Sequence, residues 1–203
     1  MQNTHPPAGS QDRLPGTQDR LAGTHVRRLW PTDRDAVVTL FRGLDPGSRF
    51  DRFMGAVSEA AAAAYAVRAV SAEGLIVGAF TDGRLRGVGE LRPAGPSREA
   101  ELAFAVAPDH RGRGFGAALG ARLTQAARNG GTRRLHLRCL SGNRPMRALA
   151  RRLGAEFATG SREIHAVLAL SPPTAFSLWS EGVGNLFDVA AAASAAWPVL
   201  PVV

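Results

Sequence analysis

The feature that most constrains this chain is a glycine-rich loop between a strand pattern and a helix pattern. Residues 99–106 alternate with period two, and residues 115–128 carry apolar side chains at helical spacing. The loop between them has glycine at positions 112, 114 and 116, which leaves main-chain N–H groups uncovered where the helix begins. Helix N-termini attract anions through these groups and through the helix dipole. The sequence therefore predicts a strand–loop–helix unit whose loop holds a phosphate or diphosphate.

Two classes of phosphorylated cofactor use such a loop, and the pattern argues against one of them. A dinucleotide-binding unit would read Gly112-x-Gly114-x-x-Ala117, and it needs an acidic residue about 20 residues later to bind a ribose. Residues 130–140 contain no acidic residue. The loop also follows a run of predicted antiparallel strands, whereas a dinucleotide loop follows the first strand of a repeated β-α-β array.

The remaining patterns predict a mixed α/β fold around one sheet. Asp82-Gly83 is a strong hairpin signal between predicted strands. Thr32 and Asp35 form a capping-box pattern for the first helix, and Asp45-Pro46-Gly47 is expected to end that helix. The predicted element order is β-α-α-α-β-β-β-α-β-α-β-β. The strands cover residues 26–29, 75–81, 84–91, 99–106, 134–140, 155–159 and 163–170, and the helices cover about 32–44, 48–54, 58–70, 115–128 and 145–153.

The chain divides into three parts by composition. Residues 1–24 contain a tandem repeat, QDRLPGT followed by QDRLAGT, and we expect a flexible tail because such a repeat cannot bury a face. Residues 25–170 form the patterned domain. Residues 171–203 contain no arginine, and we expect a docked helix from about 175 to 196. This helix would cover the sheet edge or form a homodimer contact, since a membrane-surface helix usually carries basic residues.

Composition excludes several classes of protein. The 203 residues are 45% hydrophobic and 21% charged, so whole-chain disorder and a collagen-like repeat are excluded. The single cysteine, Cys139, excludes a disulfide scaffold, fits a reducing compartment and is expected to be buried. The sequence shows no signal-peptide pattern and no run of 18 apolar residues. We therefore expect a cytoplasmic protein without a membrane span.

Positive charge is concentrated near the glycine-rich loop. The formal net charge is +8 and the chain has no lysine, while residues 111–152 hold eleven arginines and no acidic residue. This stretch favours an anionic partner, such as nucleic acid, a membrane surface or a phosphorylated cofactor, or else it forms a solvated helix face. Nucleic acid is not expected as a partner, because Phe115 is the single Phe, Tyr or Trp residue in the stretch and base stacking uses interleaved aromatic residues.

Two motifs resemble those of a known enzyme family. Residues 106–117 resemble the acyl-CoA-binding motif of the GNAT family of N-acetyltransferases: Val106-x-Pro108-x-x-Arg111-Gly112-x-Gly114-x-Gly116-Ala117. A second signature of the family follows at a similar distance: Asn143-x-x-Met146-x-x-Leu149-x-x-x-Leu153-Gly154-Ala155. The resemblance covers roughly residues 25–170. It is strongest to the acetyltransferase domain of bacterial protein lysine acetyltransferases, through Leu44-x-Pro46-x-Ser48-Arg49-Phe50-x-Arg52-Phe53.

The resemblance implies a three-layer α/β fold with a splayed central sheet and acetyl-CoA as the acyl donor. It assigns main-chain contacts with pantetheine to Ala105 and Val106, and a side-chain contact to Asn143, which is also a plausible helix cap. The diphosphate would be held by the residues of the loop and helix start, which are Arg111, Gly112, Arg113, Gly114, Phe115, Gly116 and Ala117. No metal is expected, because neither His110 nor His136 has a second ligand at metal-ligand spacing.

The resemblance also implies a glutamate base on the strand before the loop, and Glu101 matches it. A base is useful because a lysine-type amine, with a pKa of about 10.4, costs about 4.6 kcal/mol to neutralise at pH 7. The alternative is that Glu101 has no catalytic role and is an ordinary surface carboxylate or one paired with an arginine. Glu90 and Glu99 are further candidates for the base.

The acid that protonates the leaving sulfur in many family members is a tyrosine, and its position here is Ala150. The single tyrosine, Tyr65, lies on an earlier predicted helix. A free thiolate is only about 2 kcal/mol uphill at pH 7, so water or Ser141 can serve.

The expected function is therefore transfer of an acetyl group from acetyl-CoA to a primary amine, with a protein lysine as the first candidate acceptor. A small amine or amino acid is the alternative acceptor. A non-catalytic domain that senses acetyl-CoA is the alternative of another class, and Ala150 is compatible with it.

Overall fold

A single mixed sheet organises the computed structural model, which describes residues 23–95, 98–158, 162–174 and 178–179. Within these ranges the sheet has seven strands in the order β1-β2-β3-β4-β5-β7-β6. The predicted mixed α/β class and element order are confirmed. The strands are β1 (Thr24–Arg28), β2 (Leu75–Thr81), β3 (Arg84–Pro93), β4 (Glu99–Val106), β5 (Arg134–Leu140), β6 (Glu156–Ala158) and β7 (Glu163–Ala169). The α-helices are α1 (Arg34–Arg42), α2 (Pro46–Phe53), α3 (Glu59–Ala69), α4 (Phe115–Asn129) and α5 (Arg144–Leu153).

The hairpin between β2 and β3 forms as its sequence predicts. Asp82 and Gly83 both adopt positive φ angles, 51° and 68°, which the two central residues of a type I′ turn require. The turn pairs Thr81 with Arg84 and so fixes the register of the antiparallel strands.

The start of α1 differs from the prediction. The expected capping box of Thr32 and Asp35 is wrong, since the chain makes a short 3-10 turn before the helix begins at Arg34. The capping interaction is made by Asp33, whose carboxylate accepts a hydrogen bond from the Trp30 amide at 2.9 Å. Arg27 on β1 donates to the same carboxylate. The position of Asp33 therefore depends on a strand residue that lies outside the local capping pattern.

The start of α2 also differs from the prediction. Asp45-Pro46-Gly47 was expected to separate two helices, but Asp45 is the N-cap of α2 and accepts the Ser48 amide at 2.8 Å. Proline is tolerated in the first turn of a helix because its missing N–H would have no partner there. Helix α2 therefore begins two residues earlier than expected, and this places it beside the cleft described below.

The sheet separates two apolar cores. Helices α1 and α3 pack on one face, where Val37, Phe41 and Val88 are fully buried. Helix α4 packs on the other face through Leu119 and Leu123, together with part of α5. The arrangement is the expected three layers of helix, sheet and helix.

Helix α4 approaches the sheet closely because β3 carries glycine beneath it. A Cβ atom at Gly89 would lie 2.9 Å from a methyl carbon of Leu123, and one at Gly87 would lie 3.1 Å from a methyl carbon of Leu119. Larger residues at these positions would push the helix away from the sheet. The start of α4 is thereby fixed against the central strands.

Strands β4 and β5 diverge, as the family resemblance implied. They are parallel neighbours, but they pair only at Glu99–Arg134, Ala100–Leu135 and Glu101–His136. Strand β4 continues to residue 106 and β5 to residue 140 without further pairing to each other. A wedge opens between them, and main-chain groups along its sides have no ladder partner across it.

Two predictions fall outside the described residues. Residues 1–22 contain most of the predicted tail, and residues 180–196 contain most of the predicted C-terminal helix. In the described part of the chain, no helix has both the length and the apolar character needed to cross a membrane.

Candidate active site

A cleft of about 430 Å³ lies at the wedge between β4 and β5. Its walls are the second half of β4, the glycine-rich loop with the start of α4, and the first two turns of α5. One face of α2 also lines it. Of the predicted site residues, all but Arg113 line this cleft, and Arg113 is exposed in the same loop.

The glycine-rich loop has the backbone shape that the sequence predicts. Gly112 and Gly114 adopt positive φ angles of 70° and 97°. A Cβ atom at Gly112 would meet nothing within 4 Å, so the main chain there is open to a ligand. The Ala118 amide donates to the Gly114 carbonyl at 3.0 Å. Because the first N–H groups of a helix have no partner inside it, the amides of residues 115–117 are donors available to an anion.

Arg111 connects this loop to α2. Its guanidinium donates a hydrogen bond to the Ser48 hydroxyl and lies 3.9 Å from the Asp45 carboxylate. The Ser48 hydroxyl and amide, with a smaller effect from Arg111, hold the pKa of Asp45 below its usual range. The sequence reasoning assigned only a ligand contact to Arg111, and no local signal relates it to a helix 63 residues earlier.

Asn143 caps α5, which confirms one of its two expected roles. Its side-chain oxygen accepts the Met146 amide at 3.0 Å. The NH₂ group of an asparagine that caps through its oxygen is still a donor. Because Asn143 also lines the cleft, its expected contact with pantetheine stays a prediction.

Glu101 lines the cleft and is paired with an arginine. Arg138 on β5 donates from Nε to Oε1 at 3.1 Å and from Nη2 to Oε2 at 2.8 Å. This pair raises the pKa of Arg138. The ion pair joins β4 to β5 on one side of the wedge. Glu101 therefore has the arginine partner that was named as its alternative role, and its role as a base stays a prediction.

Glu90 is instead the centre of a buried network. It is 1% exposed, and its carboxylate lies 2.6 Å from Arg52, 2.7 Å from the Tyr65 hydroxyl and 2.9 Å from Arg92. Burial raises the pKa of Glu90, but the two arginines and the tyrosine outweigh it and hold the pKa below its usual range. Burial is also the main cause of the raised pKa of Tyr65. Glu90 joins α2 and α3 to β3 and does not line the cleft.

Glu99, the other candidate base, belongs to a polar chain across three strands. His136 Nε2 lies 2.9 Å from the Glu99 carboxylate, and His136 Nδ1 lies 2.9 Å from His165 Nε2. Arg134 also contacts Glu99, at 3.3 Å. These contacts lie where β4 and β5 are still paired. Glu99 is not among the residues that line the cleft.

No tyrosine lines the cleft on the side of the expected leaving group. Ala150 is 1% exposed and packs in the core between α4, α5 and the sheet. The hydroxyl of Tyr65 is bonded to Glu90 instead. Ser141 is half-buried and is not among the described residues that line the cleft. Its suggested role as the proton donor to the leaving sulfur stays a prediction.

Metal-binding geometry is not found among the described residues, where no three His, Cys, Asp or Glu side chains could hold one ion. His110 lies 2.8 Å from Asp109, its sequence neighbour. Cys139 is buried, as expected, and burial raises the pKa of its thiol.

Sequence reasoning did not name the individual residues that α2 contributes to the cleft. Ser48, Asp51 and Arg52 lie at spacings of three and four residues, so they share one face of this helix, and all three line the cleft. The spacing alone could have shown that the three share a face. It could not show that the face is turned to the wedge, because α2 is placed by distant contacts.

Comparison with known proteins identifies relatives of this arrangement. Residues 40–155, more than half of the chain, match the sequence model of the acetyltransferase (GNAT) family. Acetyltransferase PA5475 of Pseudomonas aeruginosa is 32% identical over 135 residues, which are 64% of this chain and 73% of that protein.

Solved structures share the fold at lower identity. The GNAT domain of S. lividans PAT superposes with a TM-score of 0.64 at 22% identity, over 72% of this chain and 90% of that one. The protein yncA from Salmonella typhimurium, solved with its cofactor acetyl-CoA, superposes with a TM-score of 0.61 at 16% identity, over 75% and 97% of the two chains.

Proposed function

Since this chain belongs to the acetyltransferase (GNAT) family, we propose that it is an acetyl-CoA-dependent N-acetyltransferase acting on a primary amine. The observation that carries the proposal is the meeting of two features in one cleft. The wedge between β4 and β5 presents unpaired main-chain groups, and the glycine-rich loop presents helix N–H donors beside it.

These features fit the chemistry of acetyl-CoA. The pantetheine arm contains amides that can pair with strand edges, and Ala105, Val106 and Asn143 line the wedge where it would lie. The diphosphate would be held by the amides of residues 111–117, and the arginines of 111–152 supply positive charge for the phosphates. The complex of yncA with acetyl-CoA supports this assignment. When bound, acetyl-CoA supplies an acetyl thioester: a C–N bond to the amine forms, the C–S bond breaks, and sulfur leaves as a thiolate.

Glu101 is the proposed proton acceptor for the amine. A carboxylate has about four lone-pair positions. Arg138 uses two of them, so the others can accept a proton from the amine or from a bridging water. Arg138 holds the carboxylate beside the wedge and limits its rotation. The leaving thiolate then takes its proton from water or from Ser141.

We propose a protein lysine as the acceptor and the cytoplasm as the location. The acceptor rests on the motif at residues 44–53, which resembles protein lysine acetyltransferases, and on the fold shared with the S. lividans PAT domain. A small amine or amino acid is the alternative acceptor. A domain that senses acetyl-CoA without turnover is favoured by one observation. Ala150 is buried at the position where many family members carry the tyrosine that protonates the leaving sulfur.

A free-thiol assay with acetyl-CoA against peptide and small-amine libraries tests the proposal. We expect thiol release with at least one amine, and faster release with lysine peptides than with small amines. Thermal stabilisation by coenzyme A without thiol release from any amine would establish the sensor function. If coenzyme A gives no thermal stabilisation and no amine gives thiol release, the proposed acetyl-CoA-dependent function is contradicted.

A further inference from the structure

One carboxylate in the cleft has no counter-charge. Asp51 and Glu101 are the acidic residues among the described lining residues. Glu101 is paired with Arg138 through both oxygens. By contrast, the Asp51 carboxylate makes no hydrogen bond or ion pair with any residue that the structure describes.

The neighbours of Asp51 on α2 are already engaged elsewhere. Ser48 accepts a hydrogen bond from Arg111, and Arg52 is bonded to Glu90 and Tyr65. Arg52 could approach Asp51 only by giving up its hydrogen bonds with the buried Glu90 carboxylate and with Tyr65, which is costly. The negative charge of Asp51 is left for a ligand of the cleft.

Asp51 lies over the gap between the diverging strands. Helix α2 contacts both β4 and β5. The charge of Asp51 reaches β5, where it adds to the effect of burial in raising the pKa of the Cys139 thiol, while Arg147 opposes it. The cleft is thus polarised, with helix N–H donors at the glycine-rich loop and an unbalanced carboxylate on α2.

We propose that Asp51 binds the ammonium group of the acceptor and determines specificity for aliphatic amines. This inference rests on the proposed function and names the substrate class of the same site. Aliphatic amines, with a pKa near 10, are cations at pH 7. Arylamines are neutral at that pH and gain no ion pair. Asp51 positions the cation, and Glu101 receives its proton when the acetyl group is transferred.

The substitution Asp51→Asn keeps the size of the side chain and removes its charge. We expect the KM of an aliphatic amine to rise about 10- to 100-fold, the range of a hydrogen bond to a charged group. The KM of acetyl-CoA should not change, and the preference for aliphatic amines over arylamines should narrow. Asp51→Glu should recover part of the amine affinity. Asp35→Asn, the same charge change on exposed Asp35 in α1, is the control and should leave all constants unchanged.

A second measurement is independent of turnover. Calorimetry should show that the amine binds the enzyme saturated with coenzyme A, and that Asp51→Asn weakens this binding by the same factor. If a thermal scan shows that Asp51→Asn is unfolded, Asp51→Ser is measured in its place. If the wild type is active and Asp51→Asn has the same KM for the amine, the role of Asp51 is overturned and the proposed function is not. A wild type that binds coenzyme A but acetylates no amine overturns the proposed function and this inference together.

Discussion

The two neighbours of strand β4 pair with it in opposite ways. Strand β3 forms a continuous antiparallel ladder of seven residue pairs with β4, and the buried carboxylate of Glu90 on β3 is hydrogen-bonded through both oxygens. Strand β5 pairs at three positions and then diverges, so donors and acceptors are left for a ligand. One side of β4 therefore stabilises the fold, and the other side provides the cleft. Substitutions on the two sides should affect different quantities.

The largest effect is expected on the open side, from Gly114→Asp. Gly114 has a φ angle of 97°, and a carboxylate there would repel the diphosphate at the helix N-terminus. We expect coenzyme A affinity to fall at least about 1,000-fold, or roughly 4 kcal/mol, by calorimetry. Gly131→Asp is the matched control, because Gly131 has a φ angle of 80° and open space around it outside the cleft. Equal loss of coenzyme A affinity in both variants would contradict a specific role for the loop.

On the closed side, Glu90→Gln should reduce stability without a direct effect on coenzyme A binding. It leaves Arg52 buried without its counter-charge, which costs about 3 kcal/mol. Chemical denaturation at pH 7 measures this loss. Glu73→Gln, on an exposed turn, is the control and should be near neutral. A Glu90→Gln protein as stable as wild type would show that the network does not hold α2 in place.

Protonation of Glu90 at low pH should remove from the wild type the same stabilisation that Glu90→Gln removes at pH 7. The folded-state pKa of Glu90 lies below its unfolded value of about 4.3. Its contribution is therefore fully present above that value and is lost as the pH falls through the folded pKa. Unfolding free energies of wild type and Glu90→Gln should converge as the pH is lowered below about 4. Parallel curves over this range would contradict the assignment.

A smaller effect on free energy is expected from Glu101→Gln. General-base catalysis is worth about 100-fold or more, so kcat at neutral pH should fall by about that factor. The KM of acetyl-CoA and the stability should change little, because the Glu101–Arg138 pair is partly exposed. Glu99→Gln, on the same strand but outside the cleft, should keep its kcat. Full activity of Glu101→Gln at every pH would show that the base is another group.

The smallest effect separates the two roles of Asn143. Asn143→Ala should lose about 1 kcal/mol of stability with the α5 cap. Asn143→Asp keeps an oxygen for the Met146 amide and loses the NH₂ donor, so stability should stay close to wild type while coenzyme A affinity falls several-fold. Unchanged affinity in Asn143→Asp would mean that this residue is a cap alone.

Local patterns predicted most of the fold and the backbone shape of the glycine-rich loop. Period-two alternation, the Asp82-Gly83 turn and the glycines of residues 112–116 act over a few residues, and their structures follow from backbone geometry. The start of α2 was missed because Asp-Pro-Gly is common both in turns and at helix starts. The Asp45 cap favours a helix start over a turn, but its hydrogen bond forms only when the Ser48 amide is already in the helix.

The individual residues of the proposed acceptor side could not be predicted, because their pairing depends on long-range contacts. Arg52 meets Glu90 across 38 residues, and Arg138 meets Glu101 across 37. A single sequence shows that such charges exist, but it does not show which of them are paired. Asp51 was therefore indistinguishable from the other acidic residues until the partners of its neighbours were known.

The hydrogen bond between Arg111 and Ser48 has a consequence for how the two proposed halves of the site are linked. It connects the glycine-rich loop directly to helix α2, the two elements lying side by side at the cleft. A ligand that moves the guanidinium changes the energy of that helix, and thermodynamic reciprocity requires the reverse effect to be equal. The bond therefore joins the loop proposed to hold the diphosphate to the helix proposed to hold the amine, so that a displacement of either element strains the other.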